Sequence, residues 1–320
     1  MDKETLSKYG WVVIVIIVLV ILMSFAAPFG NYFSNSTMAI LDSLTNAMAG
    51  EAGFVDADKI FSEHFGSINN SNSSATTSYT LEEIEADEHL YAIGKTQPEY
   101  VVAEFNDDYT EVVITKNGDE SDGLMMDWAD MTTGNVQISP MVENVATLQT
   151  AVIEEGVASV GGAAFLGMSP DFSERKTFLT SVVFPNSLQT IGAMAFYYCD
   201  KLVDMKLPEN LTNIEESAFA YCESLKSVVI PKGVTVINRE AFGDCSSLEE
   251  VTLHDEITRI ENHAFNYCDN LKTITIPSSV IFIGVDSFAQ ATGKETTFYG
   301  VTGSYIETWA TNKGYAFVAI

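Results

Sequence analysis

Positive charge is what this chain of 320 residues most lacks: 16 Lys+Arg stand against 44 Asp+Glu, for a net charge of −28. Attachment to nucleic acid through a broad basic surface is excluded, because phosphate repulsion would dominate. Peripheral binding to anionic lipid headgroups is disfavoured for the same reason. Cysteine is scarce, with four residues and no CxxC pair, so a four-thiolate zinc site of the usual spacing is not indicated. The four histidines include no HExxH, and no glycine-rich phosphate loop is present. No metal, no cofactor and no catalytic residues are expected. Apolar residues are not scarce: they make up 47% of the chain against 19% charged, enough to build a core.

The N-terminal part decides the compartment. Residues 11–29 read WVVIVIIVLVILMSFAAPF, 19 residues without a charge. As a helix they would extend about 28 Å at roughly 1.5 Å per residue, close to a hydrocarbon core of about 30 Å. Tyr9 and Trp11 at one end, and Phe29, Tyr32 and Phe33 at the other, suit membrane interfaces. Lys3 and Lys8 precede the run and no further Lys or Arg follows until Lys59. The expectation is a single-pass anchor with residues 1–10 cytoplasmic and the remainder outside. The alternative is a cleaved signal peptide, with Ser24-Phe25-Ala26 as the cleavage-like stretch. Either reading exports the rest of the chain.

From residue 179 the sequence copies itself. LTSVVFPNSLQTIGAMAFYYCDK is followed by LVDMKLPENLTNIEESAFAYCES, LKSVVIPKGVTVINREAFGDCSS, LEEVTLHDEITRIENHAFNYCDN and LKTITIPSSVIFIGVDSFAQATG. Leu179, Leu202, Leu225, Leu248 and Leu271 are spaced by 23, as are Phe196, Phe219, Phe242, Phe265 and Phe288, and Cys199, Cys222, Cys245 and Cys268. A fixed period in this range marks a solenoid, in which each coil covers its neighbour's apolar positions. LxxVxI alternates with period two and is rich in β-branched residues, so it reads as a strand. Pro185, Pro208, Pro231 and Pro277 end it, and His254 fills that slot in one coil. A second short extended piece follows, as in residues 234–237, and the Ala-Phe segment forms the return side. An earlier, degenerate coil spans 148–165. Phe165 and Phe196 are 31 apart, one period plus an insertion of eight in residues 167–178. That insertion is expected to form a surface loop.

The run I-P-x-x-V-T-x-I-x-x-x-A-F-x-x-C-x-x-L resembles the BspA-like, or Treponema pallidum-type, leucine-rich repeats of bacterial and protist surface proteins. The resemblance covers about residues 148–320. It implies a β-rich, α+β solenoid: a right-handed leucine-rich-repeat stack of about six 23-residue coils, preceded by an N-terminal transmembrane helix and a small β-rich capping region. It also implies surface display and binding of a protein or extracellular-matrix partner, and it carries over no catalytic residue. Two departures stand out. Tyr precedes Cys in three coils, and Ala291 replaces Cys in the last. The final segment resembles the family's closing piece, a helix over 304–312, Gly314 and a strand.

The expected organisation is a cytoplasmic 1–10, an anchor 11–29, a helical stalk and Ser/Asn-rich linker 30–78, a β-rich region 79–147, repeats 148–295 and a C-terminal cap 296–320. Region 79–147 either pairs with the first coil as a cap or forms a small domain of its own. The acidic excess lies before the repeats: residues 31–150 hold 21 acids and 3 bases. The stretch Asn117 to Gly123 invites a calcium reading, but no EF-hand register fits it, and a β-turn is the better account. The cysteines are expected as buried free thiols, with bridges between adjacent coils as the competing reading.

Candidate partner-binding residues follow from strand alternation. Residues flanking the inward Val of each LxxVxI point outward, giving two columns across five coils: Ser181/Val183, Asp204/Lys206, Ser227/Val229, Glu250/Thr252 and Thr273/Thr275. Within them, Asp204, Lys206, Ser227, Glu250, Thr252, Thr273 and Thr275 are the first candidates. This face is mixed and nearly without aromatics. The tyrosines Tyr198, Tyr221 and Tyr267 form a second candidate stripe, interrupted by Asp244. The insertion loop is the third. The expected function is recognition or adhesion at the cell surface; a structural envelope component and an exported enzyme are the alternatives.

Overall fold

The computed structural model describes residues 78–130, 135, 136, 138–169, 174, 177–203, 205–290 and 293–320. The expected anchor, the stalk to residue 77, Asp204, Ala291 and most of the insertion lie outside the described residues.

The described chain opens with a short helix, α1 (Leu81–Ala86). Thr80 caps it: its Oγ1 accepts from the Glu83 N–H at 3.3 Å, and the Glu83 carboxylate accepts from the Thr80 N–H at 2.8 Å. This reciprocal pair satisfies two of the orphan donors of the first turn. An antiparallel meander follows, made of β1 (Leu90–Ala92), β2 (Val101–Phe105) and β3 (Glu111–Lys116). β3 then pairs in parallel with β6 (Thr150–Ile153), the first strand of the repeats, and β6 pairs with β8 (Ser181–Val183). The meander therefore extends the repeat sheet and covers its first edge. A small hairpin of β4 (Ala129–Asp130) and β5 (Asn135–Val136) and a helical turn, α2 (Pro140–Glu143), complete this end. The segment before the hairpin covers the second edge: Leu124 bridges Ser159 in parallel, and the Met125 N–H donates to the Ser159 hydroxyl at 3.0 Å.

Every coil but the one that begins at Leu202 contributes two short parallel strands among the described residues. The second set is β7 (Ser159–Val160), β9 (Thr190–Ile191), β10 (Asn213–Ile214), β12 (Val236–Ile237), β14 (Arg259–Ile260) and β16 (Phe282–Ile283). On the return side Phe165, Phe196, Phe219, Phe242, Phe265 and Phe288 are buried and stacked, with successive centroids 5.1 to 5.6 Å apart. That spacing is set by the distance between coils, about 4.8 Å. Ala195, Ala218, Ala241 and Ala264, all fully buried, leave room for the ring of the neighbouring coil. Ser287 takes this place in the last coil, and its hydroxyl donates to the carbonyls of Glu261 and Gly284.

The return side is held by backbone bonds that do not form a sheet. Met194, Ser217, Glu240, His263 and Asp286 have positive φ, as do Tyr198, Tyr221, Asp244 and Tyr267 four residues later in their coils. None is glycine, so each left-handed residue carries a cost of about 1–2 kcal/mol. What offsets it is hydrogen bonding between coils. The Met194 N–H donates to Glu216 O, Phe196 to Ala218 O and Tyr198 to Ala220 O, and the same triple recurs from Ser217, Phe219 and Tyr221. Left-handed turns aim alternate N–H groups along the stack, where the next coil's carbonyls receive them.

The cysteines are free and buried. Each Sγ sits 3.0 to 3.4 Å from the Phe carbonyl of the preceding coil: Cys199 on Phe165, Cys222 on Phe196, Cys245 on Phe219 and Cys268 on Phe242. The thiol is thus a small hydrophobe with one satisfied donor.

The far end is closed by β17 (Thr297–Gly300), α3 (Tyr305–Lys313) and β18 (Ala316–Ala319). β17 pairs in parallel with β15 (Thr273–Thr275), and β18 with β17. Ser304 is the N-cap of α3, and Gly314, at φ 75, adopts the left-handed conformation that ends it. Phe298 and Trp309 meet the last Phe of the ladder edge-on, at 4.9 and 6.1 Å from Phe288, and turn the open stack into a sealed core.

One expectation needs correction. The first-strand sheet is not continuous across five coils. It falls into three blocks: β1-β2-β3-β6-β8, then β11 (Ser227–Val229) with β13 (Glu250–Thr252), then β15-β17-β18. Among the described residues of 202–207 none lies in a strand. In this coil Met205 occupies the inward position held elsewhere by Val182, Val228, Val251 and Ile274, and it is only partly buried where they are buried. Methionine lacks the β-branching that favours a pleated strand. The second strands also divide, into β7-β9-β10 and β12-β14-β16. Between β10 and β12 the Asn238 side chain bridges instead, its Nδ2 donating to Ile214 O at 2.6 Å.

Candidate partner-binding face

The outer face of the strands is built by alternation. In β11, β13 and β15 the central residue is buried and its two neighbours are exposed. Ser227 aligns with Glu250, and Val229 with Thr252. Thr273 aligns with Thr297 and then Ala316, and Thr275 with Tyr299 and then Val318. Five of the residues singled out from sequence, Ser227, Glu250, Thr252, Thr273 and Thr275, therefore share one face. Lys206 is exposed but belongs to no strand, so the columns do not continue through it.

Sequence reasoning missed Tyr299. The face is not bare of aromatics at this end, because β17 places this half-buried tyrosine beside Thr275. Thr297 and Tyr299 follow Thr273 and Thr275 by 24 residues, one more than the repeat. The signal that could have found it is the alternation in Thr297-Phe298-Tyr299, whose inward Phe298 matches Ile274.

Between β13 and β15 lies an open groove of about 430 Å³. Its floor is Val251, Leu253 and Ile274, and its walls include Glu249, Glu250, Thr252, Thr273, Thr275 and Tyr299. Nearby, Lys272 is engaged: its Nζ lies 2.5 Å from Glu295 and 2.8 Å from Asp269 O. No cation is within ion-pair distance of Glu249 or Glu250 among the described residues. The groove is therefore acidic and rich in hydroxyls.

The tyrosine stripe is differently placed. Tyr198 and Tyr221 stack on each other at 4.3 Å, and Tyr197 meets both edge-on. Tyr197 also packs with Met168 and Met194 against Val142, Ala163 and Leu166. Partial burial, then the nearby Asp244, pushes the Tyr221 hydroxyl up to about 12. Burial raises Tyr197 as well. Tyr198 and Tyr221 are thus a half-buried packing cluster on the return ridge. Tyr267, 45% exposed, stands apart from them.

The Asp- and Gly-containing stretch 117–123 works as a structural turn. The Asn117 side chain donates to Tyr79 O and Glu99 O, the Ser121 hydroxyl donates to Tyr100 O, and Asp122 accepts from Thr96. That last bond lowers the Asp122 carboxyl. Among the described residues no three His, Cys, Asp or Glu side chains come together to hold a metal.

Residues 168–294 match the family model described as BspA type leucine rich repeat region, in six copies. A leucine rich cell surface protein from Faecalibacterium prausnitzii A2-165 is 26% identical at a TM-score of 0.45, over 63% of this chain and 53% of that one. A leucine-rich repeat protein from Bacteroides ovatus ATCC 8483 is 25% identical at 0.42, over 64% and 55%. The T. pallidum leucine rich repeat protein is 19% identical at 0.39, over 70% and 98%. The chain spans about half the length of the first two. No curated protein matches it. The coils of residues 168–294 are BspA-type leucine-rich repeats.

Proposed function

We propose that these BspA-type repeats are the binding module of a surface-displayed recognition or adhesion protein, and that the outer face of β11, β13, β15 and β17 receives a protein or matrix partner. The observation that carries this reading is the groove between β13 and β15, which lies where the exposed residues differ from coil to coil while the buried ones repeat. A repeating core with a varied face is what a scaffold for recognition requires. Display rests on the uncharged run 11–29, with its lysines on the N-terminal side only. Among the described residues no helix is long and apolar enough to cross a membrane, so the anchor assignment rests on that run alone.

The test is to crosslink the displayed protein to neighbouring cells or matrix, identify the recovered partner, and measure its binding to two variants. Thr252→Arg with Thr275→Arg fills the face, and Tyr198→Ser with Tyr221→Ser removes the tyrosine cluster. Loss of binding in the first variant alone is expected. Loss in the tyrosine variant alone, with both folded, would move the site to the return ridge.

A further inference from the structure

The groove coincides with a break in the sheet. On its first side, Glu250 N–H donates to Lys226 O and Ile230 N–H to Thr252 O, which commits Glu250 and Thr252 to β11. On its second side, Thr297 N–H donates to Lys272 O and Ile276 N–H to Tyr299 O, which commits the alternate residues of β15 to β17. In a parallel strand the N–H and C=O of one residue point to the same side. Val251 on one strand, and Thr273 and Thr275 on the other, therefore turn their backbone groups toward the seam. No backbone hydrogen bond crosses it among the described residues.

Buried backbone groups are nearly always satisfied by protein or water; at this open seam they have no partner on the facing strand and are left for solvent or an occupant. Here they lie beneath two carboxylates without ion partners, three threonine hydroxyls and the ring of Tyr299. Carboxylates only accept hydrogen bonds, and hydroxyls and carbonyls can accept as well. The outward carboxylates and hydroxyls, rather than the seam's mixed N–H and C=O groups, thus favour an occupant rich in donors, positively charged and able to lie flat on an aromatic ring. Guanidinium has these properties: five donors in a planar fork, a permanent charge and weak hydration. It also stacks on tyrosine. An ammonium has the charge without the fork or the plane. The strongly acidic chain would draw such a partner in from a distance.

We propose that the β13–β15 seam is an arginine pocket, which takes the guanidinium of an extended polypeptide segment on the partner. The carboxylates of Glu249 and Glu250 pair with it, Tyr299 stacks on it, and the seam's carbonyls receive its remaining donors. This deepens the proposed function and rests on the outer strand face being the binding face.

The full-length chain would be titrated with the fluorescent peptide Gly-Thr-Ser-Arg-Ser-Thr-Gly, with versions carrying lysine or neutral citrulline at the centre, and with maltohexaose. The arginine peptide should bind. Citrulline should weaken it by about tenfold or more, the effect of losing a charged hydrogen-bond partner, and lysine should fall between. Glu249→Gln with Glu250→Gln should remove the difference between arginine and citrulline, and Tyr299→Leu should weaken the arginine peptide alone. Equal binding of the arginine and citrulline peptides, no effect of the glutamine pair, or binding of maltohexaose alone would each overturn the proposal. The recovered partner separates this failure from that of the wider reading. If Thr252→Arg with Thr275→Arg abolishes its binding while the glutamine pair leaves it intact, the face stands and the arginine pocket falls. If neither variant affects it, the face itself is wrong.

Discussion

The rings of Phe196 and Phe219 lie parallel to within 1°, with centroids 5.2 Å apart, and both are fully buried. This contact repeats down the stack, so a central Phe has a ring above it and another below. Phe219→Ala would remove both contacts and leave a cavity that two rigid neighbours cannot close. A loss of about 3–5 kcal/mol is expected. Denaturant unfolding of the variant against wild type measures it, and an unchanged midpoint would show that the ladder is not a source of stability.

The thiols give a pH signature. Burial lifts Cys245 from 9.0 to about 12, and raises Cys222 and Cys268 well above 9.0. A thiol whose folded value is raised stabilises the fold fully below its unfolded value, and loses that contribution as pH rises through and beyond it. Above pH ~9 the unfolded state ionises first, so stability should fall with pH, by up to about 1.4 kcal/mol per pH unit for each thiol. Comparing melts of Cys245→Val and wild type from pH 8 to 11 isolates this from other titrating groups: the variant should show the shallower fall. Alkylation adds a second readout. Native protein should resist iodoacetamide at pH 8, whereas unfolded, unreduced protein should label at all four cysteines. Recovery of bridged Cys199–Cys222 or Cys245–Cys268 peptides would contradict the free-thiol ladder.

Gly161 holds the N-terminal cover on the stack. A Cβ there would sit 1.7 Å from the Met126 carbonyl oxygen, with the Trp128 ring at 3.3 Å. Backbone cannot yield as a flexible side chain can. Gly161→Ala should therefore lift the 124–128 segment off the first coil, at about 1–3 kcal/mol, the usual cost of overpacking. Limited proteolysis should cut this variant near Trp128 well before wild type. Equal rates of cutting would mean that the segment moves without cost.

The repeat pattern made most of the coil legible. Leu, Val or Ile, Phe and Cys recur every 23 residues because each must meet its copy in the next coil, and period alone identifies such positions. The left-handed residues were not legible. Met194, Ser217, Glu240, His263 and Asp286 share a conformation but no chemistry, since the fold demands only an N–H aimed along the stack. The candidate face was half legible. Strand alternation pointed to Glu250, Thr252, Thr273 and Thr275, whereas the seam beneath them depends on which backbone bonds fail to form, and side-chain periodicity carries no trace of that.

Met205 offers the sharpest test of why the sheet breaks. The flanking coils place Val182 and Val228 at the same register, both buried and both in strands. The two residues beside Val228, Ser227 and Val229, are exposed, and β11 bonds onward only to β13. If the unbranched methionine is what keeps 203–206 out of the ladder, Met205→Val should let this coil join β11. The gain should be modest, about 0.5–1 kcal/mol, because the whole strand-propensity scale spans only ~1 kcal/mol. Met205 is only partly buried, so little cavity opposes the gain. Amide exchange is the more telling measurement. The N–H groups of Ser227 and Val229 turn away from β13, and in the variant they should exchange more slowly while that of Val228, which already faces β13, stays unchanged. Faster exchange at all three, or lower stability, would mean that the break is imposed by the backbone of this coil and that methionine was accommodated to it.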